Sequence, residues 1–308
     1  MYSGVINVYK ESGFTSFDVV AKLRGILKQK KIGHTGTLDP DAQGVLVVCL
    51  GKATKLCDVL TDKDKSYVAT LLLGRTTDTE DSSGEILTQK EVLVTKEQVS
   101  EAVRSFVGEY DQIPPMYSAI KVNGKKLYEL AREGKVIERN PRRVAIHNIE
   151  ILSMELPYVT MRVSCGKGTY IRSLCRDIGE KLDCGGIMDK LVRDSVYAGQ
   201  TGKVFRQEDA LTLTQIEEMV RKGRIGDYIL PIDSLFPDFI KCRVTEEGNK
   251  RLHNGNLLRQ EDFSRETGQL PGKKDGLCCL VYDETGAFTA IYKYDDDIRA
   301  WKAEKMFL

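Results

Sequence analysis

The sequence has no long hydrophobic run, only three histidines, and no Cys-x-x-Cys pair among its eight cysteines. No apolar stretch is long enough to span a bilayer, and the N-terminus lacks the basic and then apolar pattern of a secretory signal, so we expect a cytoplasmic protein. Because histidines are few and the cysteines are not paired in a motif, we expect reduced thiols and no metal site.

Net charge is also nearly absent, at +1 for 308 residues, which taken alone argues against a nucleic-acid partner. The charge is unevenly distributed, however. Residues 22–31 contain five basic side chains and no acidic one, and residues 121–143 contain eight basic and three acidic side chains. Such stretches bind phosphates or form the solvated face of a helix, and charge alone leaves both alternatives open.

The length of the chain and its hydrophobic fraction of 41% predict two globular domains. The character of the sequence changes near residues 231–237. After that point come short β-rich runs at residues 277–282 and 287–293, joined by a hairpin turn. We therefore predict one domain over residues 1–236 and a small β domain over residues 237–308.

Hydrophobic periodicity predicts a mixture of strands and helices in the first domain. Strands are expected at residues 4–9, 67–73 and 159–165, and capping patterns at Thr15 and Thr95 each predict the start of a helix. A later helix is predicted to be capped by Thr214 and Glu217. The helix after Thr15 is expected to bury one apolar face, made of Phe17, Val20, Leu23 and Leu27.

A glycine-rich turn at residues 165–169 separates a predicted strand from a predicted helix. A nucleoside-triphosphate loop would need serine or threonine directly after Lys167, but that position is Gly168. Such a site is therefore excluded. What remains is a helix N-terminus with Lys167 and Arg172 beside it, which favours an anion, either RNA phosphate or a protein carboxylate.

Asp39 and Pro40 allow two interpretations. Asp is a favoured residue at a helix N-cap and Pro at the first helical position, so on physical grounds a capping role is the commoner one. His34 is more often a hydrogen-bonded loop residue than a catalyst. However, the glycines on either side of His34 and Thr35 would let the backbone approach a ligand closely.

Several segments together resemble the bacterial tRNA pseudouridine-55 synthases, the TruB family of pseudouridine synthases. The segment at residues 33–44 is similar to the catalytic motif of that family. The other similar segments follow in the family's order and cover most of residues 4–193. They are residues 45–55, 65–67, 73–79, 113–121, 124–128 and 167–172.

The resemblance implies an α+β fold with a mixed, mostly antiparallel central sheet flanked by helices, followed by a small RNA-binding β-barrel similar to a PUA domain. It also implies an isomerase that converts uridine to pseudouridine in the T arm of tRNA without a cofactor. By resemblance, Asp39 is the catalytic carboxylate, Arg172 is its cationic partner, and Tyr67 stacks on the flipped base and is the expected base for a late proton transfer.

The resemblance further implies a set of residues that bind the substrate. His34 occupies the stack that the flipped base vacates, Tyr170 and Leu191 line the pocket, and Lys10 supports the loop around Asp39. Residues 121–143 are similar to an insertion that clamps the T arm. Its lysines and the turn lysine are expected to contact phosphate: Lys125, Lys126 and Lys167.

The sequence departs from the family pattern at Glu11, at Gly166 and over residues 192–197, and we expect these departures to affect edge contacts rather than the catalytic core.

Two alternatives to the tRNA enzyme remain. One is a non-catalytic tRNA-binding or tRNA-folding chaperone on the same scaffold, and the other is a synthase that acts on ribosomal RNA within a guided particle. No obligate protein partner is evident, so we expect a monomer.

Overall fold

The structure is a computed structural model that describes residues 1–61, 64–122, 124–198, 202–265 and 272–308. Its helices are α1 (Ser16–Ile26), α2 (Cys57–Thr61), α3 (Lys96–Arg104), α4 (Leu127–Arg132), α5 (Ile171–Lys181), α6 (Leu213–Arg221) and α7 (Glu246–His253). Its strands are β1 (Gly4–Lys10), β2 (Ile32–His34), β3 (Gln43–Leu50), β4 (Lys65–Leu73), β5 (Arg75–Thr77), β6 (Ile86–Gln89), β7 (Gly108–Gln112), β8 (Lys121–Val122), β9 (Lys125–Lys126), β10 (Arg142–Glu155), β11 (Tyr158–Cys165), β12 (Gly186–Tyr197), β13 (Val204–Arg206), β14 (Ile240–Arg243), β15 (Cys278–Tyr282), β16 (Phe288–Asp295) and β17 (Ala300–Met306).

A nine-stranded sheet forms the centre of the molecule, with the order β1-β3-β12-β4-β11-β10-β7, β2 paired to β3 and β13 paired to β12. Its strand pairs are antiparallel except for β3 with β12, which run parallel where Gln43 and Gly44 meet Val192 and Arg193. Strand β11 explains the period-two pattern of the sequence, because its alternate residues 159, 161, 163 and 165 are buried in the main core. The predicted α+β fold with a mixed, mostly antiparallel sheet is confirmed.

The predicted capping residues begin two of the three helices, and the third helix begins two residues earlier than predicted. Thr15 and Thr95 are both N-caps with complete capping boxes, as predicted. The prediction that Thr214 and Glu217 cap α6 is wrong, because Thr212 is the N-cap and Gln215 completes its box. Two overlapping patterns lie two residues apart, and the observed one begins the helix early enough for Leu213 and Ile216 to be buried.

The buried face of α1 also differs from the prediction at one residue. Val20, Leu23 and Leu27 are buried as expected, but Phe17 is 64% exposed. Ser16 is buried in the first turn instead, because its hydroxyl accepts a hydrogen bond from the Leu38 N–H at 2.9 Å. This contact joins the start of α1 to the loop that contains Asp39.

The C-terminal part contains a separate four-stranded sheet of order β14-β15-β16-β17. One face of β1 and β3 packs against this sheet in a shared apolar cluster that includes Val5, Val47, Leu280 and Phe307. A small β unit is thus present in the predicted part of the chain, while the domain limits 1–236 and 237–308 stay predictions. No helix in the described ranges is long and apolar enough to cross a membrane.

Candidate active site

The loop of residues 35–42, here called the catalytic loop, connects β2 to β3 along one edge of the central sheet. Backbone hydrogen bonds attach both of its ends: the Thr35 N–H donates to the Val47 carbonyl at 3.1 Å, and the Pro40 carbonyl accepts from the Gly13 N–H at 3.0 Å. The loop is therefore bound at several points along its length, including the contact of Leu38 with α1.

Asp39 and Arg172 form a two-point ion pair, although 133 residues separate them in the sequence. Arg172 Nε lies 2.9 Å from Asp39 Oδ2, and Arg172 Nη2 donates to Asp39 Oδ1 at 3.2 Å. The Arg172 side chain is 6% exposed and also donates to the carbonyls of Thr79 and Tyr117, at 3.1 and 2.9 Å. The planar guanidinium is thus held by four oxygen atoms, which orients the carboxylate.

Burial raises the pKa of Asp39 above its ordinary value. The Arg172 guanidinium acts in the opposite direction and lowers this pKa, while the nearby Asp81 carboxylate raises it again. The cationic partner that the resemblance implies therefore favours the charged form of Asp39, but the effect of burial on the pKa exceeds it.

The helix-cap interpretation of Asp39 is wrong. No helix follows Pro40, since β3 begins at Gln43 and runs to Leu50. The Asp39 carbonyl instead accepts a hydrogen bond from the Ala42 N–H at 3.2 Å, which closes a tight turn before the strand. The turn leaves the side chain free to meet Arg172.

Lys10 lies under the catalytic loop as a fully buried cation. Its Nζ donates to the carbonyls of Ala42, Pro40 and Glu11 at 2.6, 2.8 and 3.1 Å, and its side chain has no exposed surface. Burial lowers the Lys10 pKa to about 8, although the nearby carboxylates of Asp41 and Asp39 raise it. These contacts attach Lys10 to both ends of the turn that contains Pro40 and Ala42.

Arg193 is the residue at this site that sequence reasoning missed. It is 2% exposed, and its guanidinium donates to the carbonyls of Val45, Gly36 and Thr37 at 2.7, 3.2 and 3.5 Å. The expectation that residues 192–197 affect only edge contacts is therefore wrong at Arg193. The sequence offers no clear signal for Arg193, because β12 also contains Asp189, Lys190 and Asp194. Only the pairing of β12 with β3 and β4 shows what Arg193 faces.

Tyr67 and Leu191 lie on neighbouring strands of the central sheet, and both are buried in the main core with Leu38 of the catalytic loop. Burial raises the Tyr67 pKa to about 12, and the facing Arg193 guanidinium, which hydrogen bonds with the phenol, lowers it. At neutral pH the phenol is therefore protonated. To accept a proton, the Tyr67 hydroxyl would first have to lose its own.

His34 and Tyr170 border the same region from two other elements. His34 ends β2, and its Nδ1 accepts from the Gly36 N–H at 3.4 Å. Burial and Arg193 lower the His34 pKa, which favours the neutral imidazole. Tyr170 is the residue before α5, and its backbone exchanges two hydrogen bonds with the Gln112 side chain, at 2.8 and 3.0 Å.

The loop that carries Thr79 is supported by a second group of charges. Glu80 is buried, accepts from the Ser173 hydroxyl at 2.7 Å and pairs with the Arg176 guanidinium. Its backbone has φ +64°, a left-handed conformation that costs energy for a residue with a side chain. These contacts secure the loop whose Thr79 carbonyl orients Arg172, so they stabilise the Asp39–Arg172 pair indirectly.

The basic segment, residues 121–143, is organised differently, and Asn123 within it lies outside the described residues. Lys125 Nζ pairs with Glu133 at 3.0 Å, and Lys126 Nζ lies 3.3 Å from the Tyr128 hydroxyl. Lys167 is exposed in the turn before α5. None of the three lysines is among the groups that contact Asp39. Lys125 and Lys167 are exposed, and Lys126 is half-buried.

The other two departures have local explanations. A side chain at Gly166 would meet its neighbours no closer than 3.6 Å, which is ordinary contact, so the glycine is not required by space. Glu11 is exposed, and its carbonyl accepts a hydrogen bond from Lys10.

Among the described residues, no group of three or more His, Cys, Asp or Glu side chains is arranged to hold a metal ion.

Comparison with known proteins agrees with this geometry. Residues 24–171 match the model of the TruB family pseudouridylate synthase N-terminal domain, and residues 172–237 match that of the tRNA pseudouridylate synthase B C-terminal domain. The chain is 56% identical to the tRNA pseudouridine synthase B of Lachnoclostridium phytofermentans, over 99% of this chain and 100% of that protein. It is 50% identical to the protein of the same name in Clostridium novyi, again over 99% and 100% of the two chains.

Among solved structures, the chain is similar to one in the crystal structure of a Cbf5-Nop10-Gar1 complex. The TM-score is 0.69 at 27% sequence identity, and the match covers 99% of this chain and 85% of that chain. Because a relative at 56% identity spans nearly the whole sequence, the chain belongs to the TruB family of pseudouridylate synthases.

Proposed function

We propose that this protein is an isomerase that converts uridine 55 in the T arm of tRNA to pseudouridine. The single observation that carries the proposal is the two-point Asp39–Arg172 pair, with Nε to Oδ2 at 2.9 Å, on a loop held by buried cations. Two relatives named tRNA pseudouridine synthase B, 56% and 50% identical to this chain, supply the substrate class.

The reaction exchanges one bond to the sugar for another. The bond between uracil N1 and sugar C1′ breaks, the uracil turns, and a bond forms between C5 and C1′. The hydrogen on C5 leaves to solvent and N1 gains a proton, so nothing is oxidised and no group is imported. We accordingly expect no cofactor to be required.

Asp39 is the proposed catalytic carboxylate. It acts in the ionised form, either as a nucleophile or by stabilising a glycosidic intermediate. Arg172 keeps that form accessible against the effect of burial and aims both oxygen atoms in one direction. Lys10 and Arg193 maintain the loop geometry, since together they bind six carbonyls, four of which belong to the catalytic loop.

Residues around the pair are proposed to receive a uridine that has left its stack. Extrusion costs a few kcal/mol of stacking energy. His34 occupies the vacated position, Tyr67 stacks on the flipped base and serves the late proton transfer, and Tyr170 and Leu191 line the pocket. The neutral state favoured for His34 suits insertion between bases, because it avoids burying a charge.

Contacts outside the pocket are proposed to be with phosphate. Lys125, Lys126 and Lys167 bind the backbone of the T arm, with residues 121–143 as a clamp. The unit at 237–308 is proposed to be a PUA-like RNA-binding domain. We further propose that the protein acts as a monomer in the cytoplasm, where its tRNA substrate is made.

A tritium-release assay tests the proposal. A T-arm stem-loop labelled with tritium at uracil C5 is given to the wild type and to Asp39→Asn, which keeps the size of the side chain. We expect release by the wild type and a fall on the order of 10³-fold or more for the variant. No release by the wild type would overturn the enzyme and leave a tRNA-binding chaperone, while equal release would overturn the role of Asp39 alone.

A further inference from the structure

A second basic region lies outside the site described above, on α1 and the turn that follows it. All of its side chains are exposed. The Arg24 Nε donates to the Lys30 carbonyl at 3.1 Å, and the Lys31 carbonyl accepts from the Gly51 N–H at 2.8 Å, which brings Lys52 beside them. We call this region the α1 basic surface: Lys22, Arg24, Lys28, Lys30, Lys31 and Lys52.

The cations of this surface are not neutralised by the protein. In the part of the chain that the structure describes, none of the six forms an ion pair with a carboxylate. The basic segment differs, because Lys125 and Lys135 share Glu133 at 3.0 and 2.7 Å. Like charges that are close together and unpaired repel one another, and a bound polyanion relieves that repulsion.

The position of the surface connects the catalytic loop to the C-terminal sheet. The first residue of α1, Ser16, is bonded to Leu38 of the catalytic loop. A helix of 11 residues extends about 16 Å, so the basic end of α1 lies well beyond the loop. Past Lys52, one turn further, Lys55 Nζ donates to the Met306 carbonyl of β17 at 2.7 Å.

Lysine is suited to one class of contact in particular. Its ammonium is a point charge on a flexible stem, which binds phosphate oxygens without reading base edges. Two aromatic contacts accompany the charges, since Lys22 lies 4.8 Å above the ring of the half-buried Phe14 and Arg24 lies 5.7 Å above the ring of the exposed Phe17. Such a surface fits a nucleic-acid backbone better than a small ligand.

We propose that the α1 basic surface binds the phosphate backbone of the substrate tRNA outside the T arm. The inference rests on the proposed function, because a tRNA whose T loop reaches Asp39 has further helical arms that must pass over the protein. The surface would add affinity for the whole tRNA and leave the chemistry at Asp39 unchanged.

The test compares two RNAs with two sets of substitutions. Lys28→Gln, Lys30→Gln and Lys31→Gln are combined in one variant. The control combines Lys90→Gln, Lys96→Gln and Lys181→Gln, three exposed lysines on other elements, so that both variants lose the same charge. Binding of an unmodified full-length tRNA and of the isolated T-arm stem-loop is measured over a series of salt concentrations.

We expect the first variant to bind full-length tRNA roughly tenfold more weakly, with a slope of log affinity against log salt that is reduced by about 2 to 3, as for three lost phosphate contacts. Its affinity for the stem-loop, and the control variant's affinity for both RNAs, should change less than twofold. An equal loss for both RNAs, or no loss for either, would overturn the proposal.

These outcomes are separate from a failure of the proposed function. Tritium release from the stem-loop by the Lys28, Lys30 and Lys31 variant should match the wild type, which also shows that the variant is folded. If the wild type released no tritium, the proposed function would be wrong. The role of the surface would still be decided by whether the variant loses more affinity for full-length tRNA than for the stem-loop.

Discussion

The catalytic loop and the basic segment both contain residues that the sequence marks as functional, but the protein holds them by different means. In the catalytic loop, the supporting cations Lys10, Arg172 and Arg193 are buried and bind backbone carbonyls. In the basic segment, Lys125 and Lys135 are exposed and pair at the surface with Glu133.

This difference follows from what each region has to do. A buried cation that binds several carbonyls cannot change partners without leaving unsatisfied groups behind, so the loop keeps one geometry. An exposed ion pair contributes little to stability and exchanges with solvent or a ligand at small cost. The loop is thus suited to position a reacting carboxylate, and the basic segment is suited to rearrange around RNA.

Substitution of a buried cation should have the largest effect. Arg193→Lys should lower the single-turnover rate of tritium release by roughly 10²-fold, because one ammonium cannot span the carbonyls of Gly36 and Val45 and the loop shifts. Arg162→Lys is the matched control. Arg162 lies on β11 and pairs at the surface with Glu150, so its substitution should change the rate less than twofold. Equal losses for the two variants would contradict the special role of buried support.

Removal of a neighbouring carboxylate should change the pH dependence. Asp81 raises the Asp39 pKa and lies 3.8 Å from Arg172, so Asp81→Asn should lower that pKa. Since Asp39 acts when ionised, the acidic limb of the single-turnover rate should move to lower pH. The Asp78→Asn control removes a carboxylate that does not act on Asp39 but accepts from the Tyr117 hydroxyl, and its limb should stay in place. A shift to higher pH would contradict the electrostatic account.

The smallest effect is expected in the basic segment. Glu133→Gln releases Lys125 and Lys135 from their shared partner, so the affinity for the T-arm stem-loop should rise about two- to fivefold at low salt. Glu138→Gln removes the same charge from an exposed position in the segment and is the control. An equal rise for both variants would attribute the effect to net charge and not to the release of the lysines.

Local sequence patterns predicted much of the fold, because period-two strands and capped helices depend on neighbours in the sequence. Strand β11 and the caps at Thr15 and Thr95 are examples. The α6 start and the exposure of Phe17 were wrong, since two capping patterns overlap in the first case and Ser16 competes for the buried position in the second.

The sequence by itself determined the family, the strand and helix types, and Asp39 as the candidate carboxylate, since these depend on residue identities in a fixed order. Only the tertiary structure decided what surrounds that carboxylate. The turn at Ala42 removed the helix that Asp39 was thought to cap, and long-range packing brought Arg172 and Arg193 to the loop from more than 130 residues away. Burial then set the direction of the Asp39 pKa, because desolvation depends on every neighbour in space and not on those along the chain.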